Sequence, residues 1–145
     1  MLFLRACDKS DIPNAAQMLC RVYAEAPWKE NWSLERAEKR VSSYLSGSHM
    51  KGYALIIETK VIGYLFGRII TLAECESFYV DEIFVHPHYQ RKGCGTMAIA
   101  ALQEELKKNC IAKIELHTIS EDASFYEKNG FTLSSYVNLE KELLH

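Results

Sequence analysis

A run of residues that passes from an apolar strand through two glycines into a helix places the strongest constraint on this chain. Residues 78–85 are mostly apolar, residues 90–96 read QRKGCGT, and residues 97–108 have the apolar spacing of a helix. Such a turn aims several free backbone N–H groups, and the positive end of the helix, at one point. Because Gly93 and Gly95 carry no Cβ, an anion could approach the main chain closely. The run predicts either a phosphate-binding loop or a surface turn with two solvated cations.

This loop differs from the two most familiar nucleotide-binding loops. It lacks the Gly-Lys-Ser/Thr ending of a magnesium-dependent phosphate loop. The three-glycine dinucleotide pattern is also missing, and no strand–helix–strand unit begins the chain. Any phosphate bound here therefore belongs to another class of ligand.

The composition favours one globular domain spanning residues 1–145. The chain is 48% hydrophobic and 25% charged, ordinary values for a globular protein, and its net charge of −2 gives no electrostatic case for a nucleic-acid partner. No apolar run approaches the ~18 residues of a membrane span, so we expect no membrane association. The five cysteines are scattered without a Cys-x-x-Cys pair, which predicts reduced thiols and a cytoplasmic location.

Hydrophobic periodicity predicts a mixed α/β sheet with the order β-α-α-β-β-β-α-β-α-β. Ser33 can cap the second helix, and Pro27 ends the first. The predicted strands cover residues 2–7, 53–58, 61–71, 78–85, 111–118 and 131–144, and the predicted helices cover residues 12–23, 33–45, 97–108 and 120–129.

Three short motifs together resemble the GNAT superfamily of N-acetyltransferases. Residues 84–89 (FVHPHY) are similar to the end of the family's fourth strand, residues 90–96 to its Gln/Arg-x-x-Gly-x-Gly/Ala loop, and residues 125–131 (FYEKNGF) to its late Tyr-Glu-Lys-x-Gly-Phe signature. The resemblance covers essentially the whole chain. It implies a twisted mixed α/β sheet of about six to seven strands with about four helices, in which strands four and five splay apart.

The resemblance also implies a site for acetyl-CoA. In the family the glycine loop holds the pyrophosphate, and the pantetheine arm pairs with main-chain groups of strand four like an added strand. No metal is needed. The residues carried over to these contacts are Ile83, Phe84, Val85, Gln90, Arg91, Lys92, Gly93, Cys94, Gly95 and Thr96.

Two adjacent carboxylates in the fourth strand are candidates for the base that takes the proton of the amine. Adjacent strand residues normally point to opposite faces, so we expect Asp81 or Glu82, but not both, to face the cleft. Burial raises the pKa of a carboxyl group, which suits a base working near neutral pH. By resemblance the position belongs to Asp81, and Glu82 is the substitute. Alternatively, both bind structural partners such as a buried arginine.

Tyr126 occupies the position of the acid that protonates the departing thiolate in the family. The alternative is a core aromatic with a satisfied hydroxyl group. One departure from the family pattern precedes it: many relatives carry an Asn seven positions earlier, where this chain has Ile119. One polar contact with the cofactor must therefore be lost or replaced.

We expect the cysteine and histidine side chains near the loop to have structural roles. Cys94 could be a reactive thiol at a helix N-terminus, but we expect its backbone N–H to matter and its side chain to pack. His86 and His88 flank Pro87, and no further His or Cys lies nearby in sequence to complete a metal site.

Two tryptophans and an acidic residue between the first two helices suggest a wall for a cationic acceptor. Trp28, Glu30 and Trp32, with the acidic turn at residues 74–76, would hold an aliphatic polyamine or an amino sugar through cation–π contacts and carboxylates. Alternatively, both tryptophans fasten the helices onto the sheet.

The resulting hypothesis is an acetyl-CoA-dependent N-acetyltransferase for the primary amine of a small polyamine-like or aminoglycoside-like molecule. A non-catalytic acyl-CoA-binding or interaction module on the same fold is the first alternative, because a fold does not fix an activity. A protein or peptide N-acetyltransferase is the second. A homodimer is the one protein partnership left open.

Overall fold

The computed structural model describes residues 1–144, which form one sheet of five strands flanked by four α-helices. In chain order the elements are β1 (Leu2–Ala6), α1 (Ile12–Tyr23), α2 (Leu34–Ser43), β2 (Met50–Ile57), β3 (Lys60–Thr71), β4 (Glu76–Val85), α3 (Cys94–Lys108), β5 (Lys113–Leu116) and α4 (Ser120–Lys128). The predicted class, the number of helices and the order of the elements as far as α4 are confirmed, whereas the last predicted strand is not formed.

The sheet separates two layers of helices. Strands β1 to β4 are antiparallel neighbours in sequence order, and β5 lies parallel to β4 at the end of the sheet. On one face, α3 packs its apolar residues against a cluster that includes Leu65, Phe78 and Val80. On the other face, α1 and α2 pack against Tyr64, Phe66 and Phe84. The fourth strand therefore contributes to both halves of the core.

Local sequence explains how the second helix begins. The Ser33 side chain accepts a hydrogen bond of 3.2 Å from the backbone N–H of Arg36, as predicted for a capping residue. Val41 and Ala37 are fully buried beneath this helix. Arg40, on the flank of this buried face, reaches the edge of the cleft described below.

A bulge interrupts the pairing of β3 and β4. Phe66 pairs with Glu82 and Gly67 pairs with Val80, so Asp81 has no partner of its own on β3. The side chains of Val80 and Ile83 both belong to the core on the α3 face, although they are three residues apart. The bulge therefore reverses the in-and-out alternation along β4 at this point, as an inserted residue does.

Strands β4 and β5 pair only at their beginnings. Residues 77–80 of β4 match residues 113–116 of β5, and pairing stops at Val80 and Leu116. Residues 81–85 thus have a strand neighbour on one side only, over roughly 16 Å of extended chain. This is the splay that the family resemblance predicts.

The sheet has five strands instead of the six to seven predicted, because the C-terminal part of the chain adds none. Residues 131–144 form no strand, and their large apolar side chains other than Phe131 are exposed. Gly130 ends α4 in the left-handed conformation predicted for it, with φ of 91°. The chain then leaves the body of the molecule, so β5 keeps an edge without a strand partner.

Candidate active site

The cleft that opens where β4 and β5 separate brings together most of the residues expected to carry the chemistry. Its volume is about 350 Å³. Asp81, Glu82 and Tyr126 line it, together with Trp28, Glu30 and Trp32. These six residues come from three separate parts of the sequence, and the sheet and its flanking helices place them around one space.

Asp81 is a largely buried carboxylate whose hydrogen-bonding capacity is only partly used. Its side chain is 16% exposed, and Oδ1 lies 3.7 Å from Nη2 of Arg68. Oδ2 is buried and has no hydrogen-bond partner among the described residues. Burial raises the pKa of Asp81, and the nearby charges of Arg68 and His117 oppose that rise without cancelling it. A carboxylate in this state can accept a proton from a ligand in the cleft.

Glu82 is engaged by three donors. Arg40 Nε donates to Oε1 at 2.6 Å, the Tyr44 hydroxyl donates to the same oxygen at 2.8 Å, and the Tyr23 hydroxyl donates to Oε2. The Glu82 side chain is only 5% exposed. Burial and the charge of Glu82 raise the pKa of Tyr23 and of Tyr44. This carboxylate ties α1 and α2 to the sheet, as in the structural alternative stated for it above.

Both carboxylates line the same cleft, contrary to the expectation that they would face opposite ways. The expectation assumed an uninterrupted strand. The bulge at Asp81 reverses the alternation, so that Asp81 and Glu82 are neighbours on one side of the sheet. The two carboxylates differ in their hydrogen-bond partners. Three donors bind Glu82, whereas Oδ2 of Asp81 has no donor among the described residues.

Tyr126 lines the cleft from α4 and keeps its proton. Burial, with a smaller effect from the charge of Asp122, raises the pKa of Tyr126 to about 12. The rings of Phe125 and Phe131 meet it edge-on, at centroid distances of 5.0 and 5.6 Å. No hydrogen bond joins its hydroxyl group to another group within residues 1–144. The phenol is therefore held by packing, with its hydroxyl available to a ligand.

The glycine loop has the concave backbone expected of an anion site. Arg91 and Gly93 adopt left-handed conformations, with φ of 61° and 81°, and α3 begins directly afterwards at Cys94. The first turn of α3 has no side-chain cap, so its amides, including that of Thr96, keep their hydrogen-bonding capacity for another partner. A Cβ built on Gly93 meets nothing within 4 Å. The exposed side chains of Arg91 and Lys92 add positive charge.

The second glycine of the loop has a packing role that the sequence did not reveal. A Cβ on Gly95 would lie 2.9 Å from Cζ of Phe125 on α4. Cys94 is buried, 4% exposed, in the core beneath α3, as predicted for a packed side chain. These two positions fix the start of α3 against α4, and only Gly93 is open to the solvent side.

After Val80, every second residue of β4 directs its main-chain N–H and C=O toward the side on which the strand has no strand partner. The His86 N–H donates to Ile62 O on β3 at 2.8 Å, and Gln90 Nε2 donates to Val85 O from the other side at 2.8 Å. By alternation, the main-chain groups of Ile83 and Val85 point away from β3 and those of Phe84 point toward it. The main chain of Phe84 is therefore directed at β3, and its side chain is buried in the core.

The wall formed by Trp28, Glu30 and Trp32 lines the cleft on the side of α1 and α2. Trp32 Nε1 donates to Glu30 Oε1 at 2.8 Å, and the Arg40 guanidinium lies 5.2 Å from the centre of the Trp32 ring. Trp28 packs edge-on against Tyr23 at 5.0 Å. The acidic turn at residues 74–76 takes no part in this wall: it leads into β4, and Glu76, the first residue of that strand, borders a different cavity.

Several residues of the site carry no motif in the sequence. Arg40, Tyr23 and Tyr44 bind Glu82, and their only advance signal was the expectation that a buried carboxylate needs a cationic partner. His117, whose Nδ1 is hydrogen-bonded to the Tyr79 hydroxyl, and Asp122 complete the rim. Ile119, in place of the family's Asn, begins α4 without a side-chain cap.

The described part of the chain contains neither a cluster of metal-ligating side chains nor a helix that could span a membrane. Nδ1 of His86 accepts the backbone N–H of His88 at 3.1 Å. Across residues 1–144, no group of three or more His, Cys, Asp or Glu side chains is arranged to hold a metal ion. None of the helices in the same range is both long enough and apolar enough to span a bilayer.

Comparison with known families agrees with this geometry. Residues 51–133 match the family model of the acetyltransferase (GNAT) domain. The chain belongs to the GNAT acetyltransferase family. The matched region runs from the second residue of β2 through α4, and hence includes the glycine loop, Asp81 and Tyr126. A search of curated proteins gave no match.

Solved structures share the fold across the full length of the chain. A possible acetyltransferase from Clostridium difficile 630 superposes with a TM-score of 0.83 at 17% identity, covering 100% of this chain and 99% of that one. A GNAT family acetyltransferase from Staphylococcus aureus gives 0.74 at 21% identity, with 98% of each chain covered. An aminoglycoside acetyltransferase from an uncultured soil metagenomic sample, in complex with sisomicin, gives 0.73 at 18% identity, covering 99% and 97%. At these identities the likeness establishes the fold alone.

Proposed function

We propose that this protein transfers the acetyl group of acetyl-CoA to a primary amine of a small cationic molecule, of the polyamine or aminoglycoside kind. One observation carries the proposal. The stretch of β4 without a partner on its β5 side runs from a cleft that holds Asp81 and Tyr126 to an open, left-handed glycine loop at the start of α3. A strand-like ligand with phosphates at one end and a reactive group at the other fits that path.

The residues along this path suit the cosubstrate. The uncapped first turn of α3 and the bare Cα of Gly93 can accept a pyrophosphate at close range. The Val85 N–H and both main-chain groups of Ile83 are positioned to pair with an extended arm, since Gln90 already occupies the Val85 carbonyl. Acetyl-CoA supplies the acetyl group as a thioester, and the protein supplies position and proton handling.

Two side chains divide the proton handling. An amine reaches the cleft mostly as an ammonium ion and must lose a proton before it attacks. Asp81, whose carboxylate lines the cleft and has no hydrogen-bond partner at Oδ2 among the described residues, accepts that proton. The Tyr126 hydroxyl, with its pKa raised to about 12, gives a proton to the departing sulfur. Asp81 enters the cleft from β4 and Tyr126 enters it from α4, so an amine and a thioester bound between them would each have one of the two groups beside it.

The charge of the cleft favours a cationic acceptor. Arg40 is neutralised by Glu82, and the carboxylates of Glu30, Asp122 and Asp81 also lie on the lining, the last of them 3.7 Å from Arg68. Trp28 and Trp32 offer aromatic surface beside them. The sisomicin complex of the aminoglycoside acetyltransferase with this fold agrees with an acceptor of this class. The five free cysteines agree with the cytoplasmic location included in the proposal.

Release of free CoA from acetyl-CoA, measured with a panel of amines, tests the proposal. Polyamines, aminoglycosides and amino sugars should raise the rate above the background without amine, whereas a peptide bearing a free amino terminus should not. If the protein binds CoA but no amine raises the rate, the non-catalytic acyl-CoA-binding module on the same fold is the correct function.

The carboxylate in the loop before α2 allows a test of acceptor charge. Glu30→Gln should raise KM for acceptors with several positive charges about 2- to 5-fold, because an exposed charge pair contributes up to about 1 kcal/mol. The KM for a monoamine should change little. Glu35→Gln, on the first turn of α2 and outside the cleft lining, is the matched control. An equal effect of Glu30→Gln on monoamines and polyamines would contradict the role of this wall.

A further inference from the structure

A tyrosine and a histidine link β4 to β5 at the point where the two strands separate. The last paired residues are Val80 and Leu116; Tyr79 precedes the first of them and His117 follows the second. The Tyr79 hydroxyl is hydrogen-bonded to Nδ1 of His117, and the centres of the two rings are 5.9 Å apart. His117 also lines the cleft that opens beyond this point. Its ring is therefore both a link between the strands and a part of the proposed acceptor site.

The hydrogen bond indicates which nitrogen of His117 carries the proton. Burial raises the pKa of Tyr79 against an opposing effect of the Arg68 charge, so the phenol keeps its proton at neutral pH. The Tyr79 hydroxyl makes no other hydrogen bond within residues 1–144. We therefore assign it as the donor to an Nδ1 that has no proton. Neutral His117 then carries its own proton on Nε2.

The elements around His117 bring several charged or titratable groups close to its ring. Arg68 of β3 lies over the Tyr79 ring, with Cζ 4.9 Å from the ring centre, and its Nη2 is 3.7 Å from Oδ1 of Asp81. Both nearby arginines, Arg68 and Arg40, are thus already paired with carboxylates. A proton on His117 would bring further positive charge to the cleft. The other groups are Glu82 of β4, Lys113 and Glu115 of β5, Asp122 and Tyr126 of α4, and Tyr23 and Glu30 on the side of α1 and α2.

Protonation of His117 would change the cleft in three ways. An imidazolium ion cannot accept the Tyr79 proton, so the link between the strands would be lost in its present form. The added charge would repel an ammonium ion on the same lining. Burial raises the pKa of Asp81, and a charged His117 lowers it again, which makes that carboxylate a weaker base.

We propose that His117 is a specificity-determining residue of the acceptor site, which favours a cationic acceptor while it is neutral and weakens its binding when protonated. This inference rests on the proposed transfer to a cationic amine. Histidine is the side chain that ordinarily changes its charge between pH 5 and pH 8. Aliphatic amines titrate near about pH 10 and stay charged throughout that range. The affinity for the acceptor should therefore fall as the pH falls, although the acceptor itself does not change.

NMR titration of the His117 ring in the full-length protein, with putrescine and without acetyl-CoA, tests this coupling directly. Two exposed charges change an affinity about 3- to 5-fold, so saturation with putrescine should lower the midpoint of the His117 titration by about 0.5–0.7 pH units. Butanediol, the uncharged analogue, should leave the midpoint unchanged. His49, exposed in the turn before β2 and outside the cleft lining, is the internal reference.

Tyr79→Phe tests the assigned direction of the hydrogen bond. Removal of the hydroxyl takes away the donor that favours an unprotonated Nδ1. The midpoint of the His117 titration should therefore rise in this variant when no putrescine is present. A midpoint that falls would mean that His117 donates to Tyr79 and would overturn the assignment.

Two substitutions of His117 separate its charge from its structural role. His117→Asn keeps an acceptor for the Tyr79 hydroxyl but takes up no proton, and His117→Lys is charged throughout. Between pH 8 and pH 5, KM for putrescine should rise about 3- to 5-fold more in the parent enzyme than in His117→Asn, whose remaining rise reports the carboxylates of the cleft. His117→Lys should have a high KM already at pH 8. His49→Asn is the matched control and should behave as the parent enzyme.

Three results would overturn the proposal. An unchanged His117 midpoint at a putrescine concentration that saturates turnover would show no coupling, while the acetyltransferase function would stand. An equal rise in KM in the parent enzyme and in His117→Asn would assign the pH dependence to the carboxylates. A lower Tm in His117→Asn, with KM raised equally at every pH, would make His117 only a structural link. If putrescine lowers the midpoint but is not acetylated, the coupling stands and the proposed function fails.

Discussion

Replacing Tyr126 by Phe should reduce turnover about 10²- to 10⁴-fold, the usual contribution of a positioned general acid, and should leave the fold intact. The structure supports both halves of this expectation. The ring packs between Phe125 and Phe131, and Phe preserves that packing. The hydroxyl group makes no hydrogen bond within the described residues, so its removal should change the free energy of unfolding by less than about 0.5 kcal/mol.

Tyr44 provides the same chemical change at a position with a different role. Its hydroxyl donates to the buried carboxylate of Glu82 at 2.8 Å. A hydrogen bond to a charged group contributes about 1.5–3 kcal/mol, which corresponds to about 5–10 °C in Tm for a chain of this length. Tyr44→Phe should therefore lower Tm while keeping most of the turnover.

The assay measures free CoA released from acetyl-CoA at saturating amine, with thermal unfolding and calorimetric acetyl-CoA affinity recorded for the same preparations. Acetyl-CoA affinity should be nearly unchanged in Tyr126→Phe. Because the pKa of Tyr126 is raised to about 12, the parent enzyme should show no loss of acid catalysis up to about pH 10. Normal turnover with a lowered Tm in Tyr126→Phe would refute the reasoning and make Tyr126 a core aromatic.

Two further substitutions distinguish the neighbouring carboxylates. Asp81→Asn should lower the rate at neutral pH, and the defect should shrink as pH rises and more amine is unprotonated; a defect independent of pH would argue against a base at Asp81. Because burial raises the pKa of Asp81, its contribution to stability is complete below about pH 4 and is lost as pH rises through its folded-state pKa, so Asp81→Asn should be at least as stable as the parent protein at pH 7 by denaturant unfolding. Glu82→Gln should instead lower the free energy of unfolding by about 2–3 kcal/mol, at the low end for a broken buried ion pair because Arg40 is 42% exposed, and a pH-rescued rate defect in this variant would move the base to Glu82.

Local sequence signals predicted the elements that depend on short-range chemistry. The cap at Ser33 and the left-handed conformations of Gly130 and Gly93 all follow from conformational preferences of single residues. The three motifs then placed β4, the loop and α4 in the correct order. Predictions of this kind succeed because the relevant interactions lie within a few residues of one another.

Features that depend on pairing between strands could not be predicted in the same way. The bulge at Asp81 arises from the register of β4 against β3, and no residue of β4 alone marks it. It changes which carboxylates share the cleft. Likewise, the pattern of residues 131–144 predicted a last strand, but the segment pairs with no edge of the sheet and forms no strand.

The packing role of Gly95 was invisible for a related reason. Its missing Cβ makes room for Phe125, thirty residues later in the chain. In the sequence, Gly93 and Gly95 look equivalent, as two glycines of one phosphate loop. Only the contact between α3 and α4 separates the glycine that is open to a ligand from the glycine that is covered.

Calorimetric titration with acetyl-CoA tests the central claim most directly. The parent protein, Gly93→Asn and Gly93→Asp are compared. Asn tolerates the left-handed conformation and is nearly the same size as Asp, so Gly93→Asn controls for shape and Gly93→Asp adds only the charge. The account predicts binding by the parent protein, weaker binding by Gly93→Asn, and a further loss of at least about 10-fold in Gly93→Asp, because a carboxylate beside the pyrophosphate repels it. Equal affinities for the Asn and Asp variants, both folded, would contradict a phosphate site at this loop, and no binding by the parent protein would contradict the acetyl-CoA assignment as a whole.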